Sequence, residues 1–142
     1  MKKVLGIISF IALMFSNTLP ALAGDPSNGI WKTEASEETG SWLHVKVFDC
    51  DDLVCGDIEN AYSSDGEIIS DYEHKGKPII WGMQILGDGK YKKGKIWNPT
   101  NDKEYNSKMV LKGSILDVSG CVWGICQAQT WERVEYKCLP RF

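Results

Sequence analysis

The chain has 142 residues, 43% of them hydrophobic, with 16 Lys and Arg against 19 Asp and Glu. One domain fits that length, and the acidic balance argues against a nucleic-acid binder, which would turn a basic face to phosphates. Beyond the N-terminal leader no apolar run approaches the roughly 20 residues of a spanning helix, so a membrane-spanning protein is not expected.

Residues 1–23 read as a secretory signal peptide. Lys2 and Lys3 make its positive start, Val4 to Phe15 its apolar stretch, and Ala21-Leu22-Ala23 a small-x-small cleavage site. No cysteine follows that site, so a lipoprotein anchor has no attachment point. Taking 23 from 142 leaves 119 residues, 24–142, read as one domain. Of the 16 basic residues the leader removes two, which leaves 14 against 19 acidic, a net charge of −5. The expected location is periplasmic or secreted.

Gly, Asp and Asn punctuate the mature part at short intervals, which suits short strands rather than helices. Ile30 to Glu34 reads as the first strand. Ser41 to Phe48 alternates, with Leu43, Val45 and Val47 on one face and Trp42, His44 and Lys46 on the other. Val54 to Asn60 forms a third. Tyr62 to Pro78 is polar and breaks the rhythm, as turns or a mobile loop would. Ile79 to Leu86 fits either a strand or a buried turn. Lys92 to Trp97 restores the pattern, and Asn98 to Asp102 is a turn. Lys103 to Lys112 is the clearest strand, with Tyr105, Ser107, Met109 and Leu111 sharing one face. Ile115 to Cys121 and Gln127 to Val134 complete seven or eight strands. An antiparallel meander of that size avoids bare edges best by closing on itself, so the expected fold is an all-β, up-and-down barrel. Eight strands just fill such a barrel with side chains or leave room for one small ligand.

Five cysteines stand at 50, 55, 121, 126 and 138. Cys50-x4-Cys55 and Cys121-x4-Cys126 share one spacing, and each pair encloses a turn-like segment. Export favours disulfides over a zinc or redox site, and the pairing 50–55 with 121–126 is preferred among the open schemes, leaving Cys138 unpaired. Six tryptophans in so short a chain supply core bulk or a cavity wall.

Gly29-Ile30-Trp31 is similar to the Gly-x-Trp that opens the first strand of lipocalins, and Arg133 stands where their last strand supplies an Arg over that Trp. A wider match is to the exported bacterial family known as domain of unknown function 2147, whose members look lipocalin-like. It is carried by Gly29-Ile30-Trp31-Lys32-Thr33-Glu34 and by Cys50-x4-Cys55-Gly56-Asp57-Ile58. Asp102-x-x-Tyr105-x-Ser107-Lys108-Met109 and Gly120-Cys121 continue it, and Cys126-x-x-Gln129-Thr130-Trp131-x-Arg133 closes it. Two positions depart from the family: Asp57 replaces a frequent basic residue, and Trp81-Gly82 a frequent Cys-Gly. The resemblance implies fold and compartment rather than chemistry.

No nucleophile, base and orienting group are arranged as covalent catalysis requires, so no enzyme is expected. His44 and His74 read as surface histidines. Asp71, Glu73 and His74, like Asp49, Asp51 and Asp52, read as solvated groups rather than a metal site, and no metal or cofactor is expected. Lys90, Lys92, Lys93 and Lys95 read as strand-edge protection. Tyr105, Ser107, Met109, Gln129 and Trp131 are the candidate ligand-binding residues, because inward polar groups in an apolar wall can orient a ligand. Trp31 and Arg133 are structural candidates. The expected function is binding of a small apolar or amphipathic ligand inside the barrel. The alternative is a protein partner, or an inhibitor role, through the Tyr62–Pro78 loop and the Cys-closed tips.

Overall fold

A computed structural model describes residues 24–136; residues 1–23, read above as a signal peptide, and Cys138 lie outside the described residues. The described residues form eight strands, β1 (Gly29–Lys32), β2 (Trp42–Cys50), β3 (Leu53–Tyr62), β4 (Pro78–Gly87), β5 (Lys90–Asn98), β6 (Lys103–Lys112), β7 (Ile115–Val122) and β8 (Ile125–Arg133). Each pairs antiparallel with the next, and β8 returns to β1 to close the barrel. Among the described residues no helix is long and apolar enough to cross a membrane.

Alternation decides which face turns inward. Val45 and Val47 of β2, Val54 and Ile58 of β3, Met109 of β6, and Leu116 and Val118 of β7 are all buried, whereas Lys46 and Lys108 between them are exposed. The ambiguous Ile79–Leu86 run is strand β4, and Ile80 and Met83 are fully buried in it. A glycine is required at 56 on β3. A Cβ there would lie 2.8 Å from Ile80 Cγ1 and 3.0 Å from Val45 Cγ1.

One expectation narrows and one changes. Of the turns or mobile loop read for Tyr62–Pro78, turns are what form, and they make a folded connection. Ile69 N–H donates to the Ala61 carbonyl and Gly76 N–H to that of Ile58, while Tyr72 packs against the core. The lysines of β5 do not guard an edge, because β5 lies between β4 and β6 in the closed sheet. The sulfur atoms of Cys50 and Cys55, and of Cys121 and Cys126, are joined.

One end of the barrel is sealed by residues 24–28. Arg133 lies 4.3 Å above the Trp31 ring and donates to the carbonyls of Asn28 and Pro26 at 2.8 and 2.7 Å. Trp31 Nε1 donates to the Ser27 carbonyl at 2.8 Å. Asp25 Oδ1 accepts from both Ser27 Oγ and Tyr91 OH. Burial, and then the hydrogen bond to Asp25, push the Tyr91 phenol up to about 12.

Candidate functional site

The opposite end, where β1 runs to β2 and β7 to β8, is not sealed in the same way. β1 meets β8 only at Trp31–Arg133 and Lys32–Glu132, because the chain leaves the sheet after Lys32. The upper part of β8, residues 125–130, therefore has a ladder partner on one side alone, in β7. Thr130 N–H, facing the bare side, is taken by the Glu34 carboxylate at 3.0 Å. This leaves a mouth.

Register identifies what faces it. Gln129 is opposite Val118 and Gln127 opposite Gly120, so both glutamines lie on the lumen face that Val118 shares. Val118 is buried, yet Gln127 and Gln129 are exposed. Water thus reaches the lumen down to Trp131, which is opposite Leu116 and only 1% exposed. Gln129 Oε1 accepts from Trp131 Nε1 at 3.2 Å, which orients the amide above that indole. Tyr105 is half-buried near the same end, and its hydroxyl accepts from Asn101 Nδ2 at 2.9 Å. Ile96 is opposite Tyr105, and Leu43 packs against the core from β2.

The five candidate ligand residues divide accordingly. Tyr105 and Gln129 border the mouth. Ser107 is buried and its hydroxyl is committed to the Ser119 carbonyl at 2.6 Å; Met109 and Trp131 belong to the packed floor. Gln127 joins the set. The signal for it was the period of two that links it to Gln129. Two concavities lie outside the lumen, one of about 430 Å³ along β5 and β6 and one of about 470 Å³ beside the sealed end. Among the described residues no group of three His, Cys, Asp or Glu is placed to hold a metal ion.

His44 is not the plain surface histidine expected. Its ring lies 4.4 Å from that of Tyr62, which stacks on Trp42 at 5.8 Å, and Lys32 Nζ sits 4.3 Å over Trp42. Partial burial lowers the imidazole below its ordinary value; Glu59 opposes this and Lys32 adds to it. Its protonation therefore favours the unfolded chain. Stability from this group is complete above about pH 6.5 and declines as the pH falls below it. The urea midpoint should drop more between about pH 7.5 and 5.5 in the native chain than in His44→Gln. Equal drops would remove His44 as the cause.

Comparison with known proteins agrees with this architecture. The family model described as "Uncharacterized protein conserved in bacteria (DUF2147)" matches residues 29–133. The chain belongs to the DUF2147 family. Its fold is similar to that of the solved Helicobacter pylori protein HP1028, described as belonging to the lipocalin family. The TM-score is 0.60 at 17% sequence identity, over 76% of this chain and 82% of that one. A search of the curated proteins finds no match. This DUF2147 member is thus a lipocalin-like barrel with a floor of tryptophan and an opening beside β8.

Proposed function

We propose that this DUF2147 protein binds a small amphipathic molecule in the mouth of the barrel and performs no covalent chemistry on it. The observation that carries the reading is the exposure of Gln127 and Gln129 on the lumen face, above a buried Trp131. Two amides there offer donors and acceptors to a polar group, while Tyr105, Ile96 and Leu43 supply apolar surface. The lower barrel is filled by Trp31, Ile58, Ile80, Met83 and Met109, so the ligand sits shallow rather than at the centre. Its expected size is correspondingly small. The two disulfides and the leader-like sequence 1–23 support a location outside the cytoplasm.

The test uses the neutral amphipathic dye N-phenyl-1-naphthylamine. The native chain should raise its fluorescence saturably. Gln127→Trp, which fills the mouth, should weaken that response at least about tenfold while leaving thermal unfolding nearly unchanged, since that exposed position holds no partner of the floor. No saturable response, or one that Gln127→Trp leaves intact, would overturn the reading.

A further inference from the structure

We propose that the outer wall formed by β5, β6 and the β7–β8 hairpin docks on an anionic phospholipid surface. Trp123 would sit among the headgroups, with Lys92, Lys93 and Lys108 on their phosphates. The lysines face away from the lumen, so the inference does not rest on what occupies the mouth.

The first observation is a depression of about 430 Å³ on that wall, bordered by Lys92, Lys93, Lys108, Asn106 and Cys121. The β5–β6 register shifts between Tyr91 and Gly94, so two consecutive lysines occupy the stretch opposite Lys108. Gly94 still turns inward, against Met83. A bulge of this kind re-aims side chains, and here it places a third ammonium group on the wall. Lys95 lies alongside and donates to Asn106 Oδ1 at 2.6 Å. Among the described residues none of these four lysines makes an ion pair. Since β5 is paired on both sides, edge protection does not explain them.

The second observation adjoins the first through Cys121, whose disulfide to Cys126 clamps the β7–β8 hairpin. At its tip Trp123 is 95% exposed; beside it Val122 at 45% and Ile125 at 78% form the lumen side of the same rim. No charged residue occurs from Val118 to Trp131. The tip is therefore apolar and uncharged in a chain that is 25% charged.

Backbone conformation ties the two together. Among the described residues, five other than glycine have positive φ: Asp51, Asp88, Asp102, Lys93 and Trp123. Aspartate tolerates that region; lysine and tryptophan do not favour it. Both exceptions lie on this one wall. Trp123 and Gly124, at φ of 53° and 76°, form a two-residue turn whose first position ordinarily takes Asn or Asp. Strain kept at such positions points to use rather than to folding. Lysines without arginine, beside an exposed tryptophan, fit a bilayer interface better than a protein, because protein interfaces are depleted in Lys and enriched in Arg.

The experiment is cosedimentation with vesicles, using the mature chain as processed from its own leader. Vesicles of phosphatidylethanolamine and phosphatidylglycerol, three to one, should retain the protein at about 50 mM salt and release it at about 500 mM. Vesicles of phosphatidylcholine alone should not retain it. Lys92→Gln, Lys93→Gln and Lys108→Gln combined should lower partitioning about a hundredfold, with dye binding in the mouth unchanged. Trp123→Asn is the second variant. It should raise thermal stability, because Asn-Gly suits the turn, and still lose vesicle binding about tenfold. Equal retention by neutral and anionic vesicles, undiminished binding of the lysine variant, or no binding to either vesicle would overturn the proposal. The last result would leave the wall to a protein partner.

Discussion

Trp31→Ala should destabilise the barrel by about 3–5 kcal/mol, the usual loss for a buried Trp truncated to Ala. Small domains hold only about 5–15 kcal/mol in total, so this change alone should bring the protein close to unfolding. Three contacts are lost together. The ring is fully buried, its Nε1–H satisfies the Ser27 carbonyl, and Arg133 is stacked 4.3 Å above it. Arg133 would then be left bridging Asn28 and Pro26 with no floor beneath. Urea unfolding measures the loss directly. A double-mutant cycle on Trp31→Phe and Arg133→Gln should show coupling of about 0.5–1 kcal/mol, the range for a cation over an aromatic face. A loss under about 1 kcal/mol for Trp31→Ala would mean that residues 24–28 seal the end without it.

The second large effect is expected at Gly56. Its added methyl would press on Ile80 and Val45, both fully buried, at distances real side chains scarcely adopt. Gly56→Ala should therefore cost about 1–3 kcal/mol through overpacking. The same substitution in an Ile80→Val background should cost less, because removing a methyl from Ile80 opens the space. Strict additivity of the two changes would show that the cost comes from the backbone and not from the clash. No left-handed conformation is involved at this glycine, so packing is the specific explanation.

Much of the barrel was legible because a strand's period of two is local. Lys103 to Lys112 emerged as β6 with its bounds unchanged, since turns flank it and its faces differ sharply. The run 79–86 was harder. Its apolar residues are continuous, which suits a strand or a buried turn equally, and only pairing with β3 and β5 decides. Tyr62 to Pro78 read as turns or a mobile loop, and composition could not choose between them; turns are what form. Its polarity reflects an exposed surface, while its order comes from backbone bonds back to Ala61 and Ile58 and from Tyr72 on the core. His44 was assigned to solvent because its neighbours in sequence are polar. Its surroundings in space are Tyr62 and Lys32, contributed by other strands, with Trp42 two residues before it stacked on Tyr62.

The candidate site divides along the same line. Tyr105 and Gln129 were found from alternation, whereas alternation could not separate them from Ser107, Met109 and Trp131, which share the inward face but lie deeper. Depth in a barrel depends on how far neighbouring strands extend. Here the decisive fact is that β1 stops at Lys32 while β8 begins at Ile125. By itself, then, the sequence determined the strand periodicity, the spacing of the two cysteine pairs and the Trp31 and Arg133 ends, all of which are local or marked by rare residues. The tertiary structure alone decided where the wall is open, which lysines share a face across the β5 bulge, and that Trp123 stands clear of the core. Closure, register and exposure are relations between segments far apart in the chain, and no local pattern encodes them.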